Sequence, residues 1–89
     1  MTGADLIAGA IRAREVLEFT YHGEPRRVEP HALGRVAGRL TLRGWQSGKG
    51  WRSFHLDGIA DLALAGRTFD APREGYAPDA RMAPVVAAL

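Results

Sequence analysis

The groups in this 89-residue chain that could do chemistry are three histidines, ten carboxylates, twelve basic side chains and two tryptophans; there is no cysteine. His22, His31 and His55 lack metal-ligand spacing, and no thiolate joins them, so no metal site is expected. Ser47 and Ser53 have no identifiable base to activate them. Glu29 stands two residues from His31, a pair that suggests acid–base work, but beside Pro30 on a short strand they read as a structural pair. No glycine-rich phosphate loop opens a helix. The expectation is therefore a chain with no catalytic machinery, no metal and no cofactor. What remains is arginine and tryptophan: eleven of the twelve basic residues are arginine, with Lys49 the one lysine. Two explanations stand side by side, an arginine-, alanine- and glycine-biased composition and a need for flat, multi-donor anion contacts.

The spacing of these residues gives a hairpin register. If Trp45 lies opposite Trp51 across a five-residue loop, Leu42 faces Phe54 and Leu40 faces Leu56, all on one side, which must be the core. A four-residue loop sets Arg43 opposite Phe54 and mixes the faces. In the five-residue register Gly44 falls opposite Arg52 on the core side, leaving room for the arginine stem. Arg52 is then a charge on an apolar face. It needs an anionic ligand, a carboxylate such as Asp57 or Glu29, or a path to water. The other face carries Trp45 with Trp51, Arg43 with Ser53, and Thr41 with His55. That face either meets a ligand or packs beneath a terminal helix, since tryptophans usually find cover.

The elements that position these residues are legible in outline. Thr2 and Asp5 have capping-box spacing, and Leu6, Ile7, Ala10 and Ile11 follow at helical intervals, predicting a helix over about residues 3–14. Alternation begins at Val16, with Leu17, Phe19 and Tyr21 on one face. His22-Gly23-Glu24-Pro25 is turn chemistry. A short strand over Arg26–Glu29 ends at Pro30, with His31–Val36 continuing after a bend. Ala37-Gly38 is a tight turn, Ser47–Gly50 a hairpin loop, and Gly58 a bulge or sharp bend before a last strand at Ile59–Leu64. A connector over residues 65–78 leads to a final helix capped by Asp79, with Met82, Val85, Val86 and Leu89 on one stripe and Pro84 near its first turn.

Five short strands between two terminal helices predict a mainly β fold: a small, bent antiparallel sheet or barrel over about residues 16–64, in one domain spanning residues 1–89. The apolar fraction of 46% is ordinary for a globular chain. A net charge of +2 is too mild to imply nucleic acid by itself. The N-terminus has no basic, apolar leader, and no apolar run approaches the ~20 residues of a membrane span. A cytoplasmic protein without a membrane partner is expected.

The segments Ala10-Ile11, Leu17-Glu18-Phe19-Thr20-Tyr21 and Arg27-Val28-Glu29-Pro30 resemble the opening of the WYL domain. So do Gly38–Trp45 and the spaced strand Arg52-Ser53-Phe54-His55-Leu56-Asp57-Gly58-Ile59. The tail, with Phe69, Pro72-Arg73-Glu74-Gly75-Tyr76, Asp79 and Met82, is similar to short stand-alone bacterial members. The resemblance implies an Sm/SH3-like barrel. It also implies a sensor module of bacterial transcription regulators, whose ligands are anionic: single-stranded DNA or nucleotides. The family's Trp-Tyr-Leu tripeptide is Leu40-Thr41-Leu42 here, the usual arginine before the strand's isoleucine is Gly58, and a basic position is His55. With no helix-turn-helix ahead of the domain, direct reading of DNA is not expected. The ligand-binding residues expected are Arg52, Thr41, His55, Arg43, Trp45 and Trp51. The competing expectation is a protein-interaction module, most simply a homodimer, with no small ligand.

Overall fold

In the computed structural model, which describes residues 2–89, the capping box forms as its spacing predicts. The Asp5 amide donates to Thr2 Oγ1 at 3.1 Å, and the Thr2 amide donates back to the Asp5 carboxylate at 3.2 Å. Helix α1 (Gly3–Ala13) follows, and ends where Arg14 turns left-handed at φ 53°. Its buried stripe is Ile7, Ala8, Ala10 and Ile11.

Six strands come next: β1 (Glu15–Tyr21), β2 (Glu24–Val36), β3 (Arg39–Gln46), β4 (Gly50–His55), β5 (Ile59–Thr68) and β6 (Met82–Ala88). They make one antiparallel sheet in the order β4-β3-β2-β1-β5, with β6 paired to β2 off that path. The long strand β2 organises it. Its first half pairs with β1, with Leu17 opposite Val28, and its second half pairs with β6, with Ala32 opposite Ala88. Strand β3 runs along the other edge, from Val28 to Val36. The register slips between Pro30 and Ala32, because proline donates no ladder hydrogen bond and a bulge absorbs the gap. Pro30 therefore bends the strand rather than ending it. At both two-residue turns the backbone is left-handed, at His22-Gly23 (φ 52° and 80°) and at Ala37-Gly38 (φ 51° and 80°), as tight hairpins require.

Three expectations are corrected. The C-terminal helix is strand β6. Its Pro84-Val85-Val86 run offers a missing donor and two β-branched side chains, and the second half of β2 offers an unpaired edge. The barrel does not close: among the described residues β4, β5 and β6 each pair with a single neighbouring strand. Helix α1 covers the inner face instead, packing Ile7 and Ile11 against Leu17, Leu33 and Leu42. Strand β5 continues to Thr68 through Gly66, into the expected connector. At Gly58 a 3-10 turn (Leu56–Gly58) joins β4 to β5, and a Cβ there would come within 2.8 Å of the Tyr21 ring.

In the core Leu17, Phe19, Val28, Leu42 and Phe54 are buried, and Leu56 and Leu62 pack against them partly buried. Leu40 is half-buried, lining an apolar cavity by the first turn of α1. No helix among the described residues is long and apolar enough to cross a membrane.

Candidate ligand-binding face

The β3–β4 hairpin holds the derived register: Trp45 opposite Trp51, Arg43 opposite Ser53, Thr41 opposite His55 and Leu42 opposite Phe54. Alternation then puts Trp45, Trp51, Arg43 and His55 on the face away from α1. The two indoles meet edge to face, with centroids 5.6 Å apart. The Arg43 guanidinium lies 5.4 Å from the Trp51 ring centre and donates to Ser53 Oγ at 3.2 Å. Thr41 is buried; its hydroxyl donates to the Arg39 carbonyl at 3.0 Å and lies 3.3 Å from His55 Nδ1. His55 stays half-buried at the rim.

A terminal helix is not what covers this face. The segment between β5 and β6 folds back over it, bringing Arg73 and Tyr76 onto the tryptophans and Phe69 onto His31. Tyr76 lies 5.8 Å from Trp51, and the Arg73 guanidinium sits 5.5 Å from the Trp45 ring centre. His31 anchors this strap. It is fully buried, in contact with Trp51 (4.8 Å), Phe69 (5.3 Å) and Tyr76 (5.1 Å). The Arg73 amide donates to His31 Nε2 at 3.0 Å, and the Glu29 carbonyl lies 2.8 Å from His31 Nδ1. A carbonyl only accepts and an amide only donates, so the ring is the neutral Nδ1–H tautomer. The Arg73 side chain grips the Glu29 carboxylate with two bonds, 2.7 and 2.8 Å. Glu29 and His31 thus form a structural pair, as expected, but through the backbone oxygen of Glu29.

Burial, above all, holds the His31 imidazole below its ordinary pKa of 6.5. Protonation at Nε2 would also set a donor against the Arg73 amide. The unfolded chain takes up this proton near pH 6.5 and the folded chain only at lower pH. The stabilisation is thus complete above 6.5 and is lost as pH falls below it. Urea unfolding is expected to be flat above about pH 7 and to weaken below it, by up to about 1.4 kcal/mol per pH unit for a single site. Asp5 and Asp79, held below the ordinary 3.8 by hydrogen bonds from Thr2 and Arg81, act only in more acid solution. In His31→Gln the fall between pH 6.5 and 5 should vanish; its persistence would assign the effect to another group.

Arg52 is corrected. It is exposed, and its guanidinium donates to the Trp51 carbonyl at 3.0 Å. The carboxylates suggested for it are engaged elsewhere: Asp57 by Arg39 at 3.1 Å, and Glu29 by Arg73. The charge that enters the apolar face is Arg26, directly across from Phe19. Its side chain is 17% exposed, and its guanidinium lies 5.9 Å from the Tyr21 ring centre and 5.8 Å from that of Phe54. Gln46 and Glu24 accept from it at 3.2 and 3.3 Å, while its buried Nε has no partner. Gly44 makes no room for an arginine stem; it permits the close approach of β2. The sequence signal for Arg26 was its parity with Val28, which points both inward. For Arg73 and Tyr76 it was their place in the segment resembling stand-alone WYL members.

A family model of the WYL domain matches residues 4–64 of the chain. A comparison with curated proteins finds no match. Among solved structures the chain is similar to proteasome accessory factor B/C (PafBC) of Arthrobacter aurescens. The TM-score is 0.69 at 26% identity, covering 82% of this chain and 13% of that one.

Proposed function

Because this chain belongs to the WYL domain family, we propose that it is a non-enzymatic regulatory module, one that senses an anionic, nucleotide-like ligand or a short single strand of nucleic acid. The observation that carries this reading is the pairing of arginine with tryptophan on the β3–β4 face: Arg43 against Trp51 and Arg73 against Trp45. Indole rings offer stacking surfaces to any base, and the Arg43 guanidinium beside them suits phosphate, while Arg73 is held by Glu29. Among the described residues Arg43 has no carboxylate within salt-bridge distance; its hydrogen bond goes to Ser53, and Asp79 acts on it only from further away. Both tryptophans are half-buried.

The test is fluorescence anisotropy of a labelled single strand over a salt series. Contacts to ~2–3 phosphates predict weak binding, micromolar or poorer, and a log–log salt slope of about −1.4 to −2.1. Trp45→Ala should weaken binding about 5- to 150-fold, one stacked base being worth roughly 1–3 kcal/mol, while the variant still melts cooperatively. No binding at low salt, with a collapsed melting temperature in the variant, would reduce Trp45 to a packing residue.

A second reading has its own support. Among the described residues the large apolar side chains left exposed are Leu64 (42%), Val85 (53%) and Val86 (46%), and they lie on strands with an unpaired edge. Such edges suit strand addition by a second copy. A stable dimer in light scattering, together with no ligand response, would favour an interaction module.

A further inference from the structure

Beside the tryptophan face lies an open cavity of about 350 Å³, within the range of small-ligand sites. Val16 of β1, Arg27 of β2, Trp45 of β3 and Arg67 near the end of β5 all border it, with Ser47 of the hairpin loop and Arg73 of the segment between β5 and β6. The carboxylate in this lining, Glu29, is held by both arms of Arg73. Arg67 has no carboxylate within salt-bridge distance among the described residues. Arg27 has a single long contact, 3.4 Å to Glu18, with both side chains about half exposed (58% and 46%). The lining therefore carries two positive charges in excess, from side chains far apart in sequence, next to a flat aromatic wall. Arg27 lies within the matched residues 4–64, and Arg67 lies beyond them.

We propose that this cavity is the phosphate subsite of the ligand. Arg27 and Arg67 clamp a phosphate group from two sides, the Ser47 hydroxyl donates to it, and Trp45 carries the planar ring attached to it. Guanidinium forks match phosphate oxygens in pairs, and two of them balance a phosphate monoester dianion. The proposal deepens the ligand-sensing reading and rests on it: that reading supplies the ring, this one the anchor for its charge. Arg73 stays with Glu29 and shapes the wall rather than binding the anion.

Calorimetric titration of the full chain tests this with three probes: deoxyadenosine 5′-monophosphate, deoxyadenosine and inorganic phosphate. The monophosphate should bind, and deoxyadenosine at least about tenfold more weakly. Arg27→Gln and Arg67→Gln should each weaken the monophosphate about tenfold and leave deoxyadenosine unchanged. Arg12→Gln, which removes the same charge from the exposed end of α1, should alter neither. Arg67→Lys should fall between, since it keeps charge but loses the fork. A short thymidine strand separates the two sources of phosphate. If it binds more tightly than the monophosphate, and Arg67→Gln lowers its salt slope by about 0.7, the site holds a strand's backbone phosphate; the reverse order assigns it a terminal one. Unchanged affinity in both glutamine variants, with binding lost in Trp45→Ala, would overturn the subsite and leave the aromatic face standing. No binding of any probe to the intact chain at low salt would overturn both.

Discussion

Phe54→Ala is expected to lower the unfolding free energy by about 3–5 kcal/mol, the cost of removing a large ring from a packed site that cannot collapse. Phe54 is 1% exposed, and the rings of Phe19 and Tyr21 meet it edge to face at 5.1 and 5.0 Å. It also carries the Arg26 guanidinium on its face. Truncation leaves a void among these three and strips a partially desolvated cation of half its aromatic cover. A chain of 89 residues has roughly 4–13 kcal/mol of stability in all, so the loss takes a large share. The melting temperature should drop by at least about 12 °C, at 4–8 °C per kcal/mol for a domain this size. Thermal unfolding by circular dichroism measures it. A fall of only a few degrees would mean that α1 settles into the space and that the inner face is more plastic than its packing indicates. Phe54→Leu, which keeps most of the volume, should recover much of the loss.

Gly44→Val is the second large effect, expected at about 3 kcal/mol or more. A Cβ built at Gly44 falls 2.5 Å from Val28 Cγ1 and 2.8 Å from the Glu29 carbonyl oxygen. The second of these is backbone, so no side-chain rotation relieves it. The strands β2 and β3 must separate just where Pro30 already interrupts their ladder. Glu29 carries one end of the Arg73 grip, so the damage should pass to the strap over the tryptophans. Tryptophan fluorescence should shift to the red in the folded variant, while Gly48→Ala makes a useful contrast. Gly48 meets nothing within 4 Å, and its φ of 81° brings backbone strain without a clash. Equal stability of Gly44→Val and the parent would show that the sheet yields at the bulge at little cost.

The hairpin that carries the candidate face was legible because several local signals agree on it. Strict alternation from Leu40 to Trp45 and from Trp51 to Leu56, with glycines between, leaves one register in which Leu42 meets Phe54 and the indoles meet each other. The capping box at Thr2 and the turns at His22-Gly23 and Ala37-Gly38 are settled within a few residues of themselves, by side-chain hydrogen bonding and by left-handed backbone.

Other features turn on residues too distant to be read locally. Met82, Val85, Val86 and Leu89 fit a helical stripe as well as a strand, and what decides is the edge of β2 left bare at residues 32–36. Arg26 and Arg52 share the inner side of the sheet by parity. Only the curvature, which gathers Phe19, Tyr21 and Phe54 at one end, decides that Arg26 is enclosed while Arg52 reaches water. The cover of the tryptophans depends on contacts between His31 and Arg73, 42 residues apart, and between Glu29 and Arg73, 44 apart. Alternation, capping and turn chemistry act over a few bonds, so the amino-acid order alone determined the β-rich pattern, the hairpin register and the tryptophan–arginine face. Which edge is free, which charge is enclosed and which segment covers the site depend on where the sheet bends and what then lies beside it, and only the tertiary structure decided those.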